Sequence, residues 1–105
     1  MNFKVLGDKL GLDEDEYREL VSLFLDTGRA DYALLKTAFS AGDARQVARR
    51  AHTINGAAGN MGIVNVHELA KRIERAAAEN QLDSVSADVE TLRELFDDIA
   101  GCVHA

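Results

Sequence analysis

Apolar residues recur at helical spacing along almost the whole chain, and no proline interrupts them. A proline inside a helix costs about 3 kcal/mol, so its absence leaves every long segment free to stay helical. Tyr17, Leu20, Val21, Phe24 and Leu25 stand at i, i+3, i+4, i+7 and i+8, the inward stripe of an amphipathic helix. Asp13 with Glu16 supplies a capping box at its start. Thr27-Gly28 reads as a kink or break, after which Leu34, Leu35, Ala38 and Phe39 continue a second apolar face. Ser40-Ala41-Gly42-Asp43 reads as a turn whose aspartate caps the next helix, which ends near Asn60 to Gly62. A further helix runs from about Val64 to Asn80, with Val66, Leu69, Ala70, Ile73, Ala76 and Ala77 inward. Asn80 to Ser84 form a turn, and Val85, Val89, Leu92, Leu95, Phe96, Ile99 and Val103 mark a long last helix. Residues 1–11 are weakly patterned, with Phe3, Val5 and Leu10 available for a short helix or strap over one end. Short connections from Gly42 onward make neighbours antiparallel. The expectation is an all-α fold: an antiparallel up-down four-helix bundle with an additional short N-terminal helical segment. Residues 1–105 form one domain in this reading, and 42–80 a helical hairpin.

Several function classes fall away on composition. A net charge of −6 opposes general nucleic-acid binding, which needs a phosphate-neutralising surface. No apolar run reaches the ~18–20 residues of a membrane span, and no secretory apolar segment follows Met1. The single cysteine, Cys102, forms no internal disulfide and belongs to no zinc-binding cluster. These features predict a protein of the reducing cytoplasm, and its largely polar remaining faces predict a monomer. There is no Gly-rich phosphate cradle and no acidic cluster suited to Mg²⁺.

The stretch from Arg50 to Gly62 carries most of the functional information. At 100° per residue, Val47, Ala51, Ile54, Ala58 and Met61 share one helix face. Arg45, Ala48, Arg49, His52, Asn55, Gly56 and Gly59 lie roughly opposite, with His52 near the middle. Glycine inside a helix is disfavoured by up to ~1 kcal/mol against alanine. Two glycines beside an exposed histidine therefore call for a partner that approaches the imidazole closely. His67 and His104 read as ordinary surface or satisfied histidines, and Gly62 as a helix C-cap.

His52-x-x-Asn55-Gly56 followed by Gly62 resembles the signature of the histidine phosphotransfer (HPt) family of two-component phosphorelays. Gly42-Asp43 before the histidine helix, and Leu69, Ile73 and Glu74 after it, extend the resemblance over essentially the whole chain. It implies a phosphocarrier, not an enzyme. His52 would accept a phosphoryl group and exchange it with the aspartate of a response-regulator receiver domain or a hybrid sensor histidine kinase, the partner domain supplying Mg²⁺. It implies that Glu74 hydrogen-bonds the second nitrogen of His52, against the plainer reading of a solvated surface glutamate. The family usually has lysine where this chain has Asn55, whose amide can still donate to a phosphoryl oxygen but brings no charge. Lys71 and Arg72 are candidates to replace that charge. Arg49 and Arg45 are candidates to steer a partner or neutralise a phosphoryl oxygen, or else are simply solvated. Ala48, Gly56, Gly59 and Ile63 are expected to form the receiver-docking patch.

Two other readings stay open on the residues alone. One is a degenerate HPt-like adaptor that binds a kinase or receiver without being phosphorylated, supported by Asn55. The other is an unrelated helical scaffold or a metal binder using His52, His67 and His104, disfavoured because no Glu-x-x-His pair is present. Met1 and the compact length favour a free-standing protein over a module of a larger kinase.

Overall fold

The computed structural model describes residues 1–104. Five helices run in order: α1 (Phe3–Lys9), α2 (Glu14–Ser40), α3 (Ala44–Met61), α4 (Val64–Ala78) and α5 (Ser86–Val103), with a 3-10 turn at Leu82–Val85 before the last. The starts of α2 and α3 follow the sequence signals. Asp13 Oδ1 accepts from the Glu16 amide at 2.8 Å while Glu16 Oε1 accepts from the Asp13 amide at 3.1 Å, closing the capping box. Asp43 Oδ1 accepts from the Gln46 amide at 3.2 Å. Helix α3 ends on Gly62, which is left-handed at φ 73°. The Ile63 amide then reaches back to the Ala58 carbonyl and Gly62 to Gly59, and this C-cap reverses the chain into α4.

The four long helices form a closed up-down ring. Arg50 of α3 meets Asp31 of α2 at 3.7 Å, and the Tyr17 hydroxyl donates to the Met61 carbonyl at 2.7 Å. These contacts run in opposite chain directions, so α2 and α3 are antiparallel. On the far side, Tyr32 donates to the Val89 carbonyl at 3.0 Å and Arg29 pairs with Asp97 at 2.9 Å, joining α2 to α5. Arg72 holds Asp88 through two bonds of 2.8 and 2.7 Å, joining α4 to α5. Helix α1 lies on α2, with Phe3 6.2 Å from the Tyr17 ring. Arg18 ties both ends of the chain together: its guanidinium sits 4.3 Å over the Phe3 ring and donates to the Cys102 and Val103 carbonyls at the end of α5.

Every residue assigned inward on α4 is buried, as are Val47, Ala51, Ile54 and Ala58 of α3. Three expectations change. Thr27-Gly28 does not break α2, which is continuous for 27 residues. Gly28 is instead where Phe96 of α5 crosses: a Cβ there would lie 2.5 Å from Phe96 Cε1. Leu20 and Leu34 are not core residues. Both are exposed, together with Leu23 at 61%, because Tyr17, Val21, Phe24, Leu25 and Leu35 already fill the inward arc of α2. In the N-terminal strap only Phe3 and Gly7 are buried, while Val5 and Leu10 stay in solvent.

Candidate functional site

His52 sits midway along α3, on the outward side that leans towards α4. Its side chain is 73% exposed, and its Nδ1 lies 2.8 Å from Glu74 Oε2. An ionised carboxylate only accepts, so Nδ1 donates to it, and in the neutral ring this leaves the lone pair on Nε2. The other carboxylate oxygen of Glu74, Oε1, accepts from Asn55 Nδ2 at 3.1 Å. Glu74 therefore bridges two α3 side chains that lie three residues apart. The Asn55 amide, expected at a phosphoryl oxygen, is committed to Glu74 instead, and its Oδ1 is buried without a partner.

These residues open onto a cleft of about 390 Å³ lined by His52, Asn55, Lys71, Glu74, Arg75 and Ala78. Lys71 and Arg75 take part in no ion pair among the described residues, so both cations are available to an anion in the cleft. Arg72, expected beside Lys71, turns the other way. Its bidentate pair with Asp88 fastens it to α5, and that bond raises the pKa of its guanidinium further above the ordinary value. Arg75 escaped the sequence reading although it stands four residues after Lys71 and so shares its face. Arg45 and Arg49 are exposed on the outward side of α3.

The two interior glycines of α3 differ. A Cβ at Gly56 would have open space around it, whereas one at Gly59 would lie 3.0 Å from His67 Nδ1. Gly59 makes room for His67, whose ring donates from Nδ1 to the Asn55 carbonyl at 3.0 Å, so its reason is internal. Gly56 has no such internal reason. Its bare backbone leaves the surface next to His52 open. Ile63, expected in the docking patch, is 4% exposed and belongs to the core, and Ala48 is half-buried against it. Exposed apolar side chains near α3 stand on α2, at Leu20, Leu23 and Leu34, and at Val64 on α4. Leu34 lines a shallow groove with Asp43, Gln46 and Arg50, and Leu20 and Leu23 stand on the same side about three to four turns away.

No group of three or more potential metal ligands occurs among the described residues, and no helix there is long and apolar enough to cross a membrane. No curated protein matches the sequence. The crystal structure of histidine-containing phosphotransfer protein B (HptB) from Pseudomonas aeruginosa PAO1 is similar, with a TM-score of 0.85 and 27% identity over 99% of this chain and 90% of that one. The model of the Hpt domain matches residues 19–102. With that match over most of its length, the chain belongs to the Hpt domain family, the phosphocarriers of two-component signalling.

Proposed function

We propose that His52 is the phosphoryl acceptor and that it exchanges the group with the aspartate of a response-regulator receiver domain in a multistep phosphorelay. The observation that carries this reading is the 2.8 Å bond that Nδ1 of an exposed His52 donates to Glu74. In the forward step the Nε2 lone pair attacks phosphorus, the acyl-phosphate P–O bond breaks, and aspartate leaves as a carboxylate. The ring becomes a phosphorylated imidazolium, and Glu74 balances its charge through the Nδ1 proton. In the reverse step a carboxylate oxygen attacks phosphorus and the N–P electrons return to Nε2. Lys71 and Arg75, which line the cleft with His52, are the cations that offset the dianion in this reading. The receiver supplies Mg²⁺ and the rest of the electrostatics. It docks over Gly56 and the α2 leucines, in the cytoplasm, against a single copy of the chain.

The test is phosphoryl transfer from a panel of phosphorylated receiver domains to the wild type and to His52→Gln. Acid-labile, base-stable label on the wild type alone is the expected result. Label that persists on His52→Gln removes His52 from the mechanism. Receiver binding without label on either protein makes the chain an adaptor.

A further inference from the structure

We propose that Asn55 is a positioning residue for His52, acting through Glu74: its amide fixes the carboxylate, and the fixed carboxylate sets the tautomer of the ring. The inference deepens the reading of His52 as phosphoryl acceptor and rests on it. It starts from geometry. Glu74 leaves α4 on a side chain with three rotatable bonds and is only partly buried, with 29% of the side chain exposed. A glutamate in that position, bonded through one oxygen alone, swings readily into solvent. The second bond, from Asn55 Nδ2 to Oε1 at 3.1 Å, removes that freedom and presents Oε2 to His52 Nδ1 at 2.8 Å.

The orphaned oxygen of Asn55 supports the same conclusion. Oδ1 is buried and bonds to nothing, a state that opposes folding. Rotating the amide by 180° would give Oδ1 a new environment, but it would set an oxygen against the Glu74 carboxylate and lose the bond. The amide is thus held in the orientation that serves Glu74, at the expense of its own acceptor. A residue present only to fill this space would be apolar. Its backbone is fixed as well, because the Asn55 carbonyl accepts from His67 at 3.0 Å, tying this turn of α3 to α4 independently of the side chain.

The consequence for the reaction is specific. A neutral imidazole protonated on Nε2 has no lone pair to attack phosphorus from the exposed side. Only the tautomer protonated on Nδ1 is competent, and Asn55 raises its share. The cations of the cleft then come from α4, through Lys71 and Arg75, because the α3 position facing Glu74 holds a neutral amide.

The experiment is long-range ¹H–¹⁵N NMR of the histidine rings in the full chain, without any phosphodonor, at a pH where the ring is neutral. Wild type is compared with Asn55→Ala, the near-isosteric Asn55→Leu and Glu74→Ala. In wild type the His52 signals report the Nδ1–H form. In both Asn55 variants the ratio of Nδ1–H to Nε2–H falls about five-fold, the equivalent of one net hydrogen bond, in the direction that Glu74→Ala sets. The His67 pattern stays put, since its partner is a backbone carbonyl. Both substitutions remove an unsatisfied buried atom, so both variants are expected to fold. An unchanged His52 ratio in the folded variants overturns the proposal, and so does loss of the fold in both, which would assign Asn55 to the core. The readout is separate from transfer. A shift without any phosphorylation would keep the Asn55 relay and sink the proposed function. Transfer with no shift would do the reverse.

Discussion

At the scale of single residues, charge and proton placement decide what the cleft does. Removing the Glu74 carboxylate deletes a hydrogen bond to a charged group, an interaction worth ~1.5–3 kcal/mol. Glu74→Ala is therefore expected to slow phosphoryl transfer by about ten- to a hundred-fold, read as the initial rate of label uptake from a phosphorylated receiver. A rate equal to wild type would show that the contact at 2.8 Å is incidental. Asn55→Lys puts an ammonium where the amide now holds Glu74, so the new cation competes for the carboxylate that orients His52. It should change the transfer rate or the lifetime of the phosphorylated state without creating activity in an inert protein. His52 was legible in the sequence because its exposure depends only on which face of its own helix it occupies, whereas the contact of Glu74 with it was implied by the family resemblance alone. Arg72 and Ile63 were not legible. The first follows Asp88 on α5 and the second closes the core at the α3–α4 corner, and neither fact follows from periodicity within one helix. Asn55 was read as able to donate to a phosphoryl oxygen, because sequence does not say that Glu74 has a second oxygen in reach.

At the scale of the helices, α2 explains why a stripe of leucines need not be core. Its apolar positions cover a wider arc than three neighbouring elements can bury, and the surplus at Leu20, Leu23 and Leu34 faces water beside α3. In the docking proposed above, these leucines are what the receiver covers. Leu23→Glu should weaken receiver binding, measured by titration, while the denaturation midpoint shifts by the equivalent of only about ±0.5 kcal/mol, as for an ordinary surface change. Gly56→Leu is the matching test on α3. Its Cβ has open space around it and the change improves helix propensity, so the fold should gain or hold stability while docking is blocked. Undiminished receiver affinity in both variants would move the docking surface elsewhere. The helix starts were read correctly from Asp13, Glu16 and Asp43, since capping is a contact between residues three apart.

For the whole molecule, short connections dictated the antiparallel order, and the bundle follows from it. The close crossing of α2 and α5 was invisible in advance, because Gly28 and Phe96 are neighbours only once the ring of helices closes. That is why Gly28 read as a helix break. Gly28→Ala inserts a methyl at 2.5 Å from the Phe96 ring and should destabilise the fold by about 1–3 kcal/mol, seen in urea unfolding. Phe96→Leu in the same chain should recover part of that loss by vacating the contact. Full stability of Gly28→Ala would mean that the two helices slide apart freely. The Arg18 clamp has a different consequence. Phe3 and the carbonyls of Cys102 and Val103 converge on one guanidinium, so the chain enters and leaves at a single corner. A protein with that layout can be spliced into a surface loop of another with little stretching of the host, because the seam it has to bridge is narrow. The cleft beside His52, built wholly from α3 and α4, would travel intact into such a chimera.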